Sequence, residues 1–200
     1  MKKRNLVTYL GLASLVLGSL WSVPVGADAD KKSDVSITFN KPSSSDKLQD
    51  KSNIFITQVP TFSFGSNDFG TSDMYTYEDS EQNEIIVSNN NGDSSGYKIT
   101  AKTNGLIGNQ YGKSLKASID EYVKDSSEPT LIGGKITGAN NQKYVNINTE
   151  NLVATGNPDA NGEVKSGKTG LKLTMNRNDG IKADTYSGTI DYTLTRGQIK

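Results

Sequence analysis

Apolar and polar residues alternate along most of this chain. Near its C-terminal end Tyr186, Gly188, Ile190, Tyr192 and Leu194 take every second position, with Ser187, Thr189, Asp191, Thr193 and Thr195 between them. A period of two marks a strand with one buried face. The same signature recurs in NIFITQV (53–59), TFSF (61–64), EIIVS (84–88), TLIGGKITG (130–138) and KYVNINT (143–149). GYKITAK (96–102) places Tyr97, Ile99 and Ala101 on one face, and LKLTMN (171–176) aligns Leu171, Leu173 and Met175. SLKASIDEYV (114–123) groups Leu115, Ala117 and Ile119, and is the one stretch that also suits a helix. Asn91-Gly92, Asn104-Gly105, Asn161-Gly162 and Asp179-Gly180 suit the tight turns between strands. NDFGTSDMYTYEDSEQNE (67–84) reads as a polar loop. The pattern predicts an all-β fold, an antiparallel β-sandwich with a barrel as the alternative, the C-terminal strand being integral to the sheet.

The first 53 residues break this rhythm. MKKR, an apolar run at 6–21 and the small-residue stretch SVPVGADA read as a secretory signal peptide over 1–29, cut after Ala29 or Ala27. The apolar run is too short and wrongly flanked for a membrane span, and no apolar stretch follows it, so no membrane insertion is expected after cleavage. Residues 30–53 form a polar N-terminal arm with one strand-like piece, VSITF (35–39), and the main domain is expected over 54–200. A mature chain of about 170 residues suffices for one domain with a real core.

Charge and composition narrow the chemistry. Without Lys2, Lys3, Arg4 and Asp28, the 22 basic and 22 acidic residues fall to 19 and 21. With no basic stripe, nucleic acid is not the expected partner. The chain has no cysteine, so an exported domain must fold on packing alone, and lipid attachment through cysteine is excluded. The absence of both His and Cys removes the commonest bases, nucleophiles and transition-metal ligands. No enzyme activity, cofactor or metal is expected. The acidic clusters Glu78, Asp79, Glu81 and Asp120, Glu121 read as solvated surface.

Two motif matches fail on context. GEVKSGKT (162–169) fits the phosphate-loop pattern, but a turn precedes it and a strand-like stretch follows, so it reads as a Gly/Lys-rich hairpin loop. Asp159, Asn161 and Glu163 are too few and too close for a calcium loop and read as a polar turn. LVATG (152–156) loosely resembles a sortase signal but lacks its proline and apolar tail. Phe69, Tyr75 and Tyr77, set among acids and amides, could stack on sugar rings or cover the end of the sheet.

VPTFSFG (59–65), IIVSNNNGDSSGYKITAK and the terminal DTYSGTIDYTLTRG together resemble the WxL domain, over roughly residues 35–200. That family comprises exported proteins of low-GC Gram-positive bacteria. The resemblance implies a domain that attaches non-covalently to the cell wall with peptidoglycan as ligand. It also implies assembly with membrane-anchored or other surface proteins. The motif positions here read Tyr97-Lys98-Ile99 and Tyr192-Thr193-Leu194, with tyrosine where the family has tryptophan. Tyr97 alternates in phase with Ile99, and Tyr192 with Leu194, which favours core positions on neighbouring strands over ligand contact. Burying each ring would stabilise by roughly 1.5–3 kcal/mol. The function expected is non-catalytic attachment at the cell surface; the alternative is a structural or adhesive subunit that binds another surface protein.

Overall fold

The computed structural model describes residues 31–37, 54–69, 72–82, 84–90 and 95–197. The expected signal peptide, and Phe39 of the arm, lie outside them. Fourteen strands follow in chain order: β1 (Lys31–Ile37), β2 (Ile54–Gln58), β3 (Phe62–Phe69), β4 (Met74–Gln82), β5 (Ile86–Asn89), β6 (Tyr97–Gly108), β7 (Ser114–Leu115), β8 (Ser118–Val123), β9 (Ile136–Gly138), β10 (Val145–Asn146), β11 (Asn151–Gly156), β12 (Gly162–Lys165), β13 (Thr169–Asn176) and β14 (Thr185–Arg196). Among the described residues only two short 3₁₀ turns interrupt them, and SLKASIDEYV carries strands β7 and β8, not a helix.

The strands form three sheets. The largest runs β3-β1-β14-β6-β11-β9, with β7 also paired to β6; a second runs β10-β8-β13-β4; the third is β12-β5-β2. One of the sheets curls into a half-barrel, and the whole is an all-β sandwich. Every ladder is antiparallel except that between β1 and β14.

The core follows from the alternation. β6 contributes Tyr97, Ile99, Ala101 and Leu106, and β14 contributes Tyr186, Ile190 and Tyr192. Ile119 of β8 and Leu171, Leu173 and Met175 of β13 belong to the same buried cluster. Register sets Tyr192 opposite Ala101 and Leu194 opposite Ile99, so inward positions of the two 12-residue strands coincide. Such coincidence is required, because a slip of one residue would turn every apolar side chain outward.

Several sequence expectations change. The stretch 67–84 is not a loop: it holds the end of β3 and all of β4. LVATG belongs to strand β11, while Thr130–Gly133 is a turn, closed by the Gly133 N–H donating to Thr130 O at 2.8 Å. GEVKSGKT is no hairpin either. β12 ends in the three-stranded sheet, and β13 begins in the four-stranded one. Ser166 and Gly167, two of the three residues at the crossing, serve the fold. Buried Ser166 accepts from the Ile85 N–H at 2.9 Å and donates to Gly167 O at 2.7 Å. Gly167 lies so close to the backbone of Asp125 that a Cβ would collide with its carbonyl.

Candidate functional site

Both motif tyrosines are core residues. Tyr97 and Tyr192 lie on adjacent strands, but Tyr97 faces Arg196 in register, so the two rings are offset along the ladder. Tyr97 lies over Gly156 of β11, where any Cβ would strike the ring. Its hydroxyl is buried without a hydrogen-bond partner among the described residues, and that burial holds its pKa well above the usual phenol range. Ile99 is fully buried, and Leu194 is half-buried against the core.

Tyr192 solves the hydroxyl problem differently. Its O–H donates to Glu121 Oε1 at 2.7 Å, across the core from the largest sheet to the four-stranded one. Glu121 is 0 % exposed, which overturns its reading as part of a solvated acidic face. Burial pushes its pKa up to about 8, against the lowering effect of the Tyr192 hydrogen bond. Burial likewise raises the Tyr192 phenol, with the Glu121 charge adding to it. A carboxyl that holds its proton at neutral pH is a frequent mark of a catalytic acid. Here it is closed off from solvent, and its effect falls on the fold. Its sequence signal was present: Ile119, Glu121 and Val123 share one face of β8.

Of the two readings open for the aromatic residues around β4, the inward one holds for Tyr75 and Tyr77. Tyr75 is buried, and Tyr77 is half-buried on the same inward side of β4, their rings parallel with centroids 6.5 Å apart. Inward alternation along β4 is the cause. The side chain of Phe69 lies outside the described part. Asp79, also half-buried, accepts from the Ser63 N–H at 2.5 Å. Asp159 lies in the turn before β12 and its carbonyl accepts from the Asn161 N–H at 2.8 Å, whereas Glu163 is already in β12; Asn161 Oδ1 accepts from buried Asn89, and Glu163 pairs with Lys165 at 3.6 Å. Among the described residues, no group of three acidic or other ligating side chains could hold a metal ion.

The outward face of the four-stranded sheet gathers a different set. Register aligns Asn146 (β10), Asp120 (β8), Lys172 (β13) and Glu78 (β4) in one row across all four strands. Two residues along, Tyr144 stands beside Tyr122, edge to face at 5.0 Å. On the other side lie Ser118, Thr174 and Thr76. Lys172 Nζ sits 4.4 Å over the Tyr144 ring and 3.9 Å from Asp120. Asn146 Nδ2 donates to Asp120 Oδ1 at 3.0 Å and to Ser118 Oγ at 2.8 Å. Burial and the nearby charges of Glu78, Tyr122 and Asp120 push the Tyr144 phenol up to about 12. A left-handed turn at Asn140, Asn141 and Gln142 leads the chain onto this face. Asn accepts that conformation more readily than most residues. Aromatic rings, an amide, two carboxylates and an ammonium thus share one face of the sheet. Such groups can stack on a pyranose ring and exchange hydrogen bonds with its hydroxyls.

The chain matches no known protein family, no curated protein and no solved structure among those compared. No helix of the described residues is long and apolar enough to cross a membrane.

Proposed function

We propose that this chain is a non-catalytic, exported module that holds non-covalently to the glycan of a Gram-positive cell wall. The outward face of the four-stranded sheet would be its contact surface. The row Asn146–Asp120–Lys172–Glu78 beside the Tyr122–Tyr144 pair is the observation that carries this reading. The leader-like N-terminus, the absence of cysteine and the likeness of the Tyr97 and Tyr192 segments to a degenerate WxL domain support the location and the ligand class. In this reading the tyrosines that replace the motif tryptophans stabilise the fold, and a separate surface makes the contact.

The test is co-sedimentation of the mature chain with purified peptidoglycan in the absence of other proteins. The mature chain is expected to sediment. Tyr144→Ala is expected to weaken retention about tenfold, roughly 1.4 kcal/mol, with the fold checked by far-UV circular dichroism. Lys182→Ala, beside Tyr111 on another part of the surface, should leave retention unchanged. Retention only when a second surface protein is added would defeat the proposal.

That outcome belongs to a second reading, a structural or adhesive subunit docking on another surface protein. One observation favours it. Leu131 is fully exposed and Ile132 is 63 % exposed at the tip of the turn before β9. The turn is braced by Thr130 Oγ1, which accepts from the Gly134 N–H at 2.8 Å, and by Asn157, which donates to Gly133 O at 3.1 Å. Two apolar side chains held out on a braced turn suit a pocket on a protein.

A further inference from the structure

The first described strand lies beside the last. β1 is inserted between β3 and β14, antiparallel to β3 along its seven residues and parallel to β14 at Asp34–Thr185 and Val35–Tyr186. β3 pairs with no other strand among the described residues, and it does not pair with β14. Emptying this position would leave two facing rows of unpaired N–H and C=O groups, each a template for an incoming strand. The position also adjoins the core, since Phe62 on β3 and Tyr186 on β14 are both buried. A strand in this position therefore joins β3 to the rest of the largest sheet.

Nothing in the ladder dictates which copy fills it. Residues 38–53 join β1 to β2, and their sequence is dominated by Ser, Lys and Asp. Fully stretched, that tether spans roughly 50 Å. A compact chain of this size is about 40 Å across. The arm can thus reach a neighbour's slot.

We infer that the slot between β3 and β14 accepts residues 31–37 of a second copy, so that copies join by strand exchange. The exchanged arrangement keeps every ladder bond of the closed monomer, so contact energy does not choose between the two. Effective concentration does, and for a tether of this kind it is in the millimolar range or below. Dilute protein is then monomeric, and copies crowded together exchange arms. Reciprocal exchange closes a dimer; one-way exchange runs on into a chain of copies. The glycan proposal does not depend on this, nor this on it.

The cysteine-free sequence makes the test clean. Ser36 of β1 and Ser63 of β3 are register partners, within the Cα separation a disulfide can bridge. The double variant Ser36→Cys/Ser63→Cys should form an intrachain disulfide on mild oxidation. The two single variants, one of them isotopically labelled, are mixed near 1 mM, about the effective concentration of the tether. The expected product is a disulfide-linked heterodimer, identified by mass, that grows with concentration and is suppressed by excess synthetic peptide spanning residues 31–39. Ser36→Cys mixed with Thr76→Cys, on the outward face of the four-stranded sheet, sets the level of random collision. A mixed product no greater than that level, alongside a normal intrachain disulfide, would overturn strand exchange. Failure of the intrachain disulfide would overturn the slot itself.

Discussion

Glu121 shows how much one residue's surroundings decide. Its carboxyl is wholly enclosed, one oxygen accepts from Tyr192, and the other has no hydrogen-bond partner among the described residues. An ionised carboxylate in that place would cost several kcal/mol, so the group keeps its proton. The consequence for stability has a definite sign. The folded pKa of about 8 lies above the unfolded value near 4.5, so the folded state binds the proton more tightly. Stability from this group is fully present below the unfolded value and is lost as pH rises toward about 8, at most about 1.4 kcal/mol per pH unit. The urea midpoint should therefore fall between pH 5 and 8 and then level off. Glu121→Gln, a neutral isostere that can still accept from Tyr192, should flatten that slope; an unchanged slope would contradict the account. Tyr192→Phe should cost about 1–3 kcal/mol by leaving the carboxyl without its donor. Because that hydrogen bond lowers the Glu121 pKa, the same variant should extend the pH-dependent range upward.

At the level of the strand, tyrosine and glycine recur as cross-strand partners: Tyr97 with Gly156, Tyr122 with Gly170, Tyr186 with Gly108. At the first two, a Cβ on the glycine would collide with the ring. The ring covers backbone that no side chain shields, and it fixes the register of two strands with a contact only glycine permits. Gly156→Ala should destabilise by about 1–3 kcal/mol through overpacking. In a Tyr97→Leu background the same change should cost less, and denaturant unfolding of the four members of the cycle measures the difference. Additive costs would show that the ring does not lie where the glycine needs space. Alternation also explains which strands were legible. β6 and β13 bury every second residue through most of their length, β14 keeps its buried Tyr186, Ile190 and Tyr192 in the same phase, and their sequences announce it. β11 does not, because a bulge between Leu152 and Ala154 puts Val153 and Ala154 both inside and breaks the period. β12 buries one residue of four, too few to form a pattern. β4 carries acids on and around its two inward tyrosines, so composition spoke for a loop where periodicity spoke for a strand. The candidate glycan face was hidden for a different reason. Tyr122 and Tyr144 sit 22 residues apart in sequence, and only the pairing of β8 with β10 makes them neighbours.

The whole molecule sets the electrostatic terms on which it would meet a wall. The outward row holds two carboxylates, Asp120 and Glu78, against one ammonium, Lys172. Residues 30–200 are slightly acidic, with 21 acidic residues against 19 basic once Lys2, Lys3, Arg4 and Asp28 are set aside. Such a surface gains nothing from anionic wall polymers and is weakly repelled by them, whereas an uncharged glycan presents no such barrier. Salt separates these cases, because screening at 0.1 M already cuts off interactions beyond about 10 Å. On intact walls that carry anionic polymer, retention should rise as salt increases from low to moderate concentration. On peptidoglycan stripped of that polymer, retention should be nearly independent of salt and should match the high-salt value on intact walls. Retention that instead falls steeply with salt would mean that charge attraction holds the chain. The neutral stacking and hydrogen bonding assigned to Tyr122, Tyr144 and Asn146 would then not be the source of binding.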